Sequence, residues 1–312
     1  MNNKKNLNRN KIIIIIDIPL IMSIFNMILK TILIILFVKM MKEFKNHYKV
    51  NRSLEDIFFF NKTIVESHRG MNREFTENTL EAFKRAIDYK LESIEIDVWL
   101  TKDNIPVVYH GFGDFGELYG IYDTPGNITN LTLKEVSTYR TIRDRLKLPT
   151  LKEVLILTKN KIFLNIELKD PRIDLAFTET MKLIDKYDFF DQIYLSSFLH
   201  EYYDKVNEYN KNNNKNIIFG FLYHKYTQSE FDYTRRGSTL NIYWADATKT
   251  VCDFAHLNNM AVLVWFDMED VETNEIYKQL IENGADIICC NDPLLARKYV
   301  RYNNMKKRNK LY

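Results

Sequence analysis

Cysteine is scarce in this chain. Three cysteines in 312 residues cannot build a disulfide framework. Two of them, Cys289 and Cys290, are adjacent; neighbouring side chains on a strand point to opposite faces, which argues against their pairing. No CxxC and no Cys/His ligand spacing occurs, so a structural zinc site is not expected. A large charge of one sign is also missing. The formal net charge is only +3, too small to suggest nucleic acid as a partner, and basic residues concentrate only at the two ends. The stretch Arg301 to Lys310 reads as a frayed, solvated tail. No short-period repeat occurs, and no internal linker splits the region after residue 62. Apolar residues, by contrast, are plentiful. They make up 46% of the chain against 27% charged, enough for a sizeable core beneath a soluble surface.

Near the N-terminus, Ile12 to Val38 is almost wholly apolar, interrupted only by Asp17, Pro19, Ser23, Asn26, Lys30 and Thr31. Roughly 20 helical residues cross a bilayer core, so this stretch is long enough. Asp17 and Lys30 would be costly at mid-bilayer, although a lysine near one end can reach the interface. No small-residue cleavage site follows, which favours an uncleaved anchor over a signal peptide. The expected organisation is a basic tail at 1–11, a transmembrane anchor at 12–38 and a juxtamembrane linker at 39–62. A folded domain at 63–302 and a basic tail at 303–312 follow. That makes a single-pass membrane protein. Lysines on both sides of the segment leave its orientation open. Sequons at Asn51, Asn61, Asn127 and Asn130 would suit a lumenal domain but carry little weight in an Asn-rich chain.

From Thr63 onward, short β-rich runs alternate with helical stretches, the pattern of a parallel α/β fold. The β-rich runs are Ile64–Val65, Ser93–Leu100, Pro106–Tyr109, Ile162–Leu168, Ile193–Phe198, Ile217–Tyr223, Leu240–Asp246, Ala261–Phe266 and Asp286–Cys290. These nine runs, two of them joined only by the short turn at Lys102–Asn104, are read as eight strands over about 250 residues, the size of a (β/α)8 TIM barrel. Polar outliers fall at the C-terminal ends of these runs. His68 and Arg69 follow the first; Glu95 and Asp97 lie two apart in the second, on one face. His110 ends the third, Glu167 and Lys169 the fourth, and Asn291 and Asp292 the last. In a TIM barrel those ends converge on the face that carries active sites.

The chemistry that suits this set is phosphoryl transfer. Glu95, Asp97 and Glu167 offer hard oxygen ligands fitted to a divalent metal, Mg²⁺ or Ca²⁺, rather than zinc. Arg69 presents a planar fork matching phosphate oxygens. With two histidines, His68 and His110, one can take a proton from the nucleophile while the other protonates the leaving alkoxide. A divalent ion would offset charge on the phosphoryl oxygens.

The run ESHRGMNREFTENTLEAFKRAIDYKLESIEIDVWLTKDNIPVVYHG resembles the opening of the glycerophosphodiester phosphodiesterase family: HRG, ENT before a helix, an E-x-D strand, a TKD turn and a strand ending in His. The resemblance continues at LPTLKEVL, LNIELK, SSF, VLVWF and NGADIICCNDP, covering Ile64 to Arg297. It implies a TIM barrel that hydrolyses glycerophosphodiesters to glycerol 3-phosphate and an alcohol. It also implies a first attack by the substrate's own glycerol hydroxyl, giving a cyclic phosphate that water opens. By the same resemblance His68 and His110 are the acid/base pair, Glu95, Asp97 and Glu167 the metal ligands, Arg69 the phosphate-binding arginine and Lys169 a second active-site cation. Trp265 walls the glycerol pocket or simply packs.

Glu77 and Asn78 are expected to cap the following helix, Thr101–Asp103 to form a turn, and Asp292–Pro293 to start a helix. Two departures from the family pattern bear on the substrate. Gly111 stands where an Asp is usual, with Asp114 nearby, as in some members and, more distantly, in sphingomyelinase D-type barrels. Phe266–Asp267 replaces the usual Thr-Val-Asn. The alternatives are a lysophospholipase D acting on membrane lysophospholipids and a non-catalytic, membrane-tethered module that binds phospholipid head groups. A phosphatidylinositol-specific phospholipase C barrel also uses two histidines but does not account for this order of motifs.

Overall fold

A computed structural model describes residues 63–113, 115–226 and 239–309, together with Lys30 and Ile32. The chain divides into two units, Met1–Asn51 and Arg52–Tyr312, and the second holds every element named below. The expected anchor at 12–38 lies outside the described residues apart from Lys30 and Ile32, and the linker at 39–62 lies outside them entirely. Among the described residues no helix is long and apolar enough to cross a membrane.

The strands are β1 (Ile64–Ser67), β2 (Ser93–Leu100), β3 (Pro106–Val108), β4 (Phe163–Leu168), β5 (Ile193–Ser197), β6 (Phe219–Tyr223), β7 (Thr239–Tyr243), β8 (Ala261–Trp265) and β9 (Ile287–Cys290). The sheet order is β1-β9-β8-β7-β6-β5-β4-β2, and β1 pairs with β2 to close the ring. Every pairing within that ring is parallel. The result is the eight-stranded barrel expected from the β–α alternation. Helices α1 (Leu80–Asp88), α2 (Leu133–Val136), α3 (Leu151–Thr158), α4 (Ile173–Lys186), α5 (Tyr202–Asn213), α6 (Lys249–Leu257), α7 (Asn274–Asn283) and α8 (Pro293–Asn309) lie between and after the strands. Thr79, Thr132, Thr150, Thr248 and Thr273 cap α1, α2, α3, α6 and α7 by accepting a backbone N–H, satisfying donors that a helix leaves free at its start. Helix α8 reaches Asn309, so helical structure runs into the residues expected to form the tail.

Strand periodicity sorts the side chains. In β2, Ile94, Ile96, Val98 and Leu100 join the main apolar core, so Ser93, Glu95, Asp97 and Trp99 share the opposite face. In β4, Leu164, Ile166 and Leu168 join that core, leaving Asn165 and Glu167 on the interior side. Cys290 belongs to the core while Cys289 borders the interior cavity, the opposite-face placement expected of adjacent strand residues. A polar layer lies low in the interior. Glu66 accepts hydrogen bonds from Ser93 Oγ at 2.7 Å and Asn165 Nδ2 at 3.0 Å, and from the Tyr194 hydroxyl. Burial pushes its carboxyl pKa up despite these donors.

One expectation needs correction. Pro106–Tyr109 is not a barrel strand: β3 spans Pro106–Val108 and runs antiparallel to β2, outside the ring. The connection between them is a tight turn in which Thr101 Oγ1 donates to Asp103 Oδ1 at 2.6 Å and Asn104 takes φ +62°. A turn this short can only reverse the chain, because a parallel return needs a crossover of about a dozen residues. The hairpin opens an excursion with its own small core, in which Trp99, Val107, Tyr109, Leu118, Tyr122, Ile128, Val136 and Leu148 pack together.

The interior is full at Gly220 of β6. A Cβ there would lie 2.4 Å from Asn241 Nδ2 and 2.7 Å from Thr239 Oγ1. Gly220→Ala is therefore expected to cost roughly 1–3 kcal/mol by overpacking. A fall of several degrees in Tm, followed by circular dichroism, would bear this out; an unchanged Tm would contradict the interior placement.

Candidate active site

The site begins with the register of two strands. In the β2/β4 pairing Glu95 faces Asn165 and Asp97 faces Glu167. Three carboxylates thereby occupy neighbouring positions at the C-terminal end of the barrel. Glu95, Asp97 and Glu167 are 5%, 0% and 8% exposed, and one oxygen from each lies within 4.8 Å of the others. Three buried acids this close repel strongly. Burial, then Asp97 and Glu167, push the Glu95 pKa well up. Burial raises Glu167 to about 7, with Lys169 opposing and Asp97 adding to the shift. Asp97 alone is held down, because Lys169, Arg69 and a hydrogen bond from Asn78 outweigh its burial.

Cations from two other segments meet this cluster. Lys169, just past β4, places Nζ 3.4 Å from Asp97 Oδ1 and 3.3 Å from Glu167 Oε1. Arg69 sits in the turn after β1 with φ +55°, a left-handed conformation uncommon for a long side chain. That turn aims its backbone N–H at Glu95 Oε2, 3.0 Å away. Its guanidinium lies 2.9 Å from Glu77 Oε1 and 3.4 Å from Asp97 Oδ2. Burial disfavours the Arg69 charge, but Glu77, Asp97 and Glu95 together raise its pKa. Glu77, Glu95, Asp97 and Glu167 thus face Arg69 and Lys169, an excess of two negative charges when all are ionised.

The histidines complete the ring. His68 is buried, with Nε2 at 4.0 Å from Glu95 Oε2 and Nδ1 at 3.1 Å from Asn291 Oδ1. His110 follows β3, so an antiparallel hairpin rather than a barrel strand delivers it. Trp99 Nε1–H donates to its carbonyl at 2.9 Å, and Tyr109 N–H donates to Asp97 O at 3.0 Å. Burial and the nearby Arg69 push both imidazoles down, His68 to about 3 and His110 to about 2. Both are uncharged at neutral pH.

All eight residues expected at the site from sequence line one cavity of about 440 Å³, except Asp97, which is fully buried beneath it. Trp265, the last residue of β8, borders the cavity, and its buried Nε1 has no hydrogen-bond partner among the described residues. Phe198 stacks on His224 at 3.9 Å and meets Trp265 edge-on at 5.9 Å, forming an aromatic wall. Neither Phe198 nor His224 was an expected site residue, although the SSF run marks the first. The expectation that Glu77 and Asn78 cap α1 is corrected: Thr79 caps it. Glu77 pairs with Arg69, and Asn78 donates to Asp97 Oδ2 at 2.8 Å, so both hold the site. Asp292 does start α8, accepting Leu295 N–H at 3.1 Å.

The two departures from the family pattern have local reasons. Gly111 adopts φ +65°, and a Cβ there would come within 2.7 Å of Trp99 Nε1, so this backbone path excludes a side chain. Asp114 lies outside the described residues. Phe266 is buried and stacks on Trp244 at 5.7 Å, while Asp267 borders the cavity.

A divalent cation fits this chemistry. Among the described residues no group hydrogen-bonds to the buried Glu95 Oε1 or Asp97 Oδ1, although the Lys169 ammonium lies 3.4 Å from the latter; this is a costly condition that a cation would relieve. Glu95, Asp97 and Glu167 could hold it, with their all-oxygen set suited to a hard ion. Mg²⁺ or Ca²⁺ should therefore raise the Tm of the wild-type chain. Glu95→Gln should leave the metal-free Tm equal or higher, because one repelling acid is gone, and should abolish the metal-induced rise. A metal-induced rise as large in Glu95→Gln as in wild type would remove Glu95 from the ligand set.

Comparison with known proteins places these residues in context. Residues 68–295 match the glycerophosphoryl diester phosphodiesterase family. A glycerophosphodiester phosphodiesterase of Caldanaerobacter subterraneus subsp. tengcongensis is 28% identical over 254 residues, covering 77% of this chain and 98% of that protein. Among solved structures, a protein of Galdieria sulphuraria superposes with TM-score 0.69 at 22% identity, covering 77% of this chain and 98% of its own. A phosphodiesterase of Oleispira antarctica, solved in complex with the product sn-glycerol-3-phosphate, has TM-score 0.65 at 20% identity, covering 77% and 97%. These last two likenesses are of fold.

Proposed function

The chain belongs to the glycerophosphoryl diester phosphodiesterase family, and on that premise we propose that it hydrolyses glycerophosphodiesters to sn-glycerol 3-phosphate and an alcohol. The observation that carries this reading is the buried triad Glu95, Asp97 and Glu167 with Arg69 and two neutral histidines around one cavity. The product bound by the Oleispira protein is the product proposed here.

The residue roles follow from chemistry. Glu95, Asp97 and Glu167 would hold Mg²⁺ or Ca²⁺, which when bound offsets the charge building up on the phosphoryl oxygens. Arg69 and Lys169 attract the anionic phosphodiester and orient it. One imidazole takes the proton of the attacking hydroxyl, and the other supplies a proton to the oxygen that leaves phosphorus. The neutral state of both rings suits the first task directly. The second becomes easier once an anionic phosphate offsets Arg69 and Lys169, the cations that help keep His110 uncharged. Trp265 and Phe198 give the substrate's carbon skeleton an apolar wall and limit water near the phosphorus.

A second reading, a lysophospholipase D, draws support from Phe112, which borders the cavity yet is 45% exposed, and from Phe115, three residues on and 56% exposed. An acyl chain leaving the pocket would meet these rings. In that reading the apolar segment 12–38 tethers the barrel to a membrane, close to such substrates.

The test assays the full chain in detergent for release of glycerol 3-phosphate from glycerophosphocholine and, in parallel, for release of lysophosphatidic acid and choline from lysophosphatidylcholine. Turnover should need Mg²⁺ or Ca²⁺, stop with chelator, and fall about 10²–10⁴-fold in His68→Ala and in His110→Ala. Folded, metal-supplied protein that turns over neither substrate would favour the head-group binding module instead. The pH dependence has a definite sign. Because Glu167 titrates near 7 without metal, a cation must displace its proton at lower pH. The Mg²⁺ concentration for half-maximal turnover should therefore rise as pH drops from about 8 to about 6. A value independent of pH would argue against Glu167 as a ligand.

A further inference from the structure

We propose that Asn291 is a positioning residue that fixes the tautomer of His68, so that Nδ1 carries the proton and the Nε2 lone pair faces the acidic cluster. The inference rests on the phosphodiesterase reading above and assigns a task to a side chain in the loop after β9.

Backbone carbonyls, which can only accept, fix the hydrogen-bonding sense of the groups around His68. Asn291 Nδ2 lies 2.9 Å from the backbone carbonyl of Asp267. A carbonyl only accepts, so the amide nitrogen must face it and Oδ1 must face the other way. On that side, Oδ1 receives Asn72 Nδ2 at 2.7 Å and meets His68 Nδ1 at 3.1 Å. Asn72 is oriented by the same logic, because its Nδ2 also lies 2.9 Å from the carbonyl of His68. Two backbone carbonyls therefore fix both amides. An amide oxygen has no proton to give, so the 3.1 Å contact requires His68 Nδ1 to be the donor. In the uncharged ring the other nitrogen, Nε2, then holds a lone pair. That nitrogen is the one turned toward Glu95, at 4.0 Å, where the substrate's reacting oxygens would lie.

Asn291 is itself held firmly. Glu272, buried in the loop before α7, accepts the backbone N–H of Asn291 and of Asp292, each at 2.8 Å, and also the Tyr277 hydroxyl. The loop after β9 is thus pinned by one carboxylate, and its side chain by the loop after β8. The consequence for chemistry is an assignment: His68 presents a ready proton acceptor, which leaves the proton-donating task to His110. Among the described residues no group hydrogen-bonds to the buried His110 Nδ1, so none of them fixes its tautomer in the same way.

The test reads the tautomer directly and the kinetics beside it. The full chain is labelled with ¹⁵N-histidine, and one- and two-bond ¹H–¹⁵N correlations are recorded at neutral pH, with His68→Gln used to assign the His68 signals. The wild type should show His68 protonated at Nδ1 and bare at Nε2. Asn291→Leu should mix the tautomers and lower kcat between about ten- and a hundred-fold, with KM changed less than about threefold. The isosteric Asn291→Asp keeps an acceptor opposite Nδ1, and should retain the tautomer and recover kcat above that of Asn291→Leu. A wild-type His68 protonated at Nε2 would overturn the proposal, as would a folded Asn291→Leu with wild-type kcat. If Asn291→Leu does not fold, the wild-type tautomer still decides. Wild-type turnover of glycerophosphocholine is measured on the same preparation: its absence counts against the phosphodiesterase reading, whereas the wrong tautomer counts against Asn291.

Discussion

Mutual repulsion among Glu95, Asp97 and Glu167 is the constraint around which the mouth of this barrel is arranged. Strand register forces the three together, and the interior keeps water from separating their charges. Arg69 and Lys169 reduce the repulsion without removing it, which is why Glu95 and Glu167 hold protons more tightly than ordinary carboxyls. A protein gains no stability from such an arrangement in itself. Its use is to bind positive charge, and a divalent ion beside a phosphodiester is the chemistry that the surrounding residues match.

The neighbouring shells follow from that constraint. Glu77 and Asn78 hold the outer sides of Arg69 and Asp97, so that the cation and the most acidic ligand keep fixed places. Glu272 and Asn72 do the same for Asn291, and through it for His68. Beneath the site, Glu66 is satisfied by Ser93, Asn165 and Tyr194, so the barrel floor adds no unpaired acceptor to the electrostatic load. These partners come from several strands and loops. The barrel contributes by bringing short segments, far apart in sequence, to one rim.

Much of this was legible in the sequence, and the parts that were not have physical reasons. The alternation of apolar runs with helical stretches is a local signal, and it led to the right barrel. Glu95 and Asp97 stand out because polar residues at a two-residue spacing inside an apolar strand must share a face. The direction of Pro106–Val108 is another matter: a run of β-formers has no polarity of its own. The short turn before it carried the answer, since only an antiparallel return fits that length. Glu77 and Asn78 misled because acids and amides before a helix resemble caps, and Thr79, one residue on, takes that task. The pairing of Asn291 with His68 spans 223 residues; no periodicity or motif in a single chain reports such a contact. The apolar segment 12–38 is legible as composition, and its arrangement lies outside the described residues.

The most direct test of the central claim is to locate the cation. Crystals of the protein soaked in Mn²⁺, which scatters anomalously and takes the same oxygen ligands as Mg²⁺, would show its position without reference to turnover. An anomalous peak is expected within about 2.0–2.6 Å of one oxygen from each of Glu95, Asp97 and Glu167, with the Lys169 ammonium displaced from between Asp97 and Glu167. Absence of a peak at full Mn²⁺ occupancy elsewhere in the crystal, with Lys169 still bridging the two carboxylates, would contradict it.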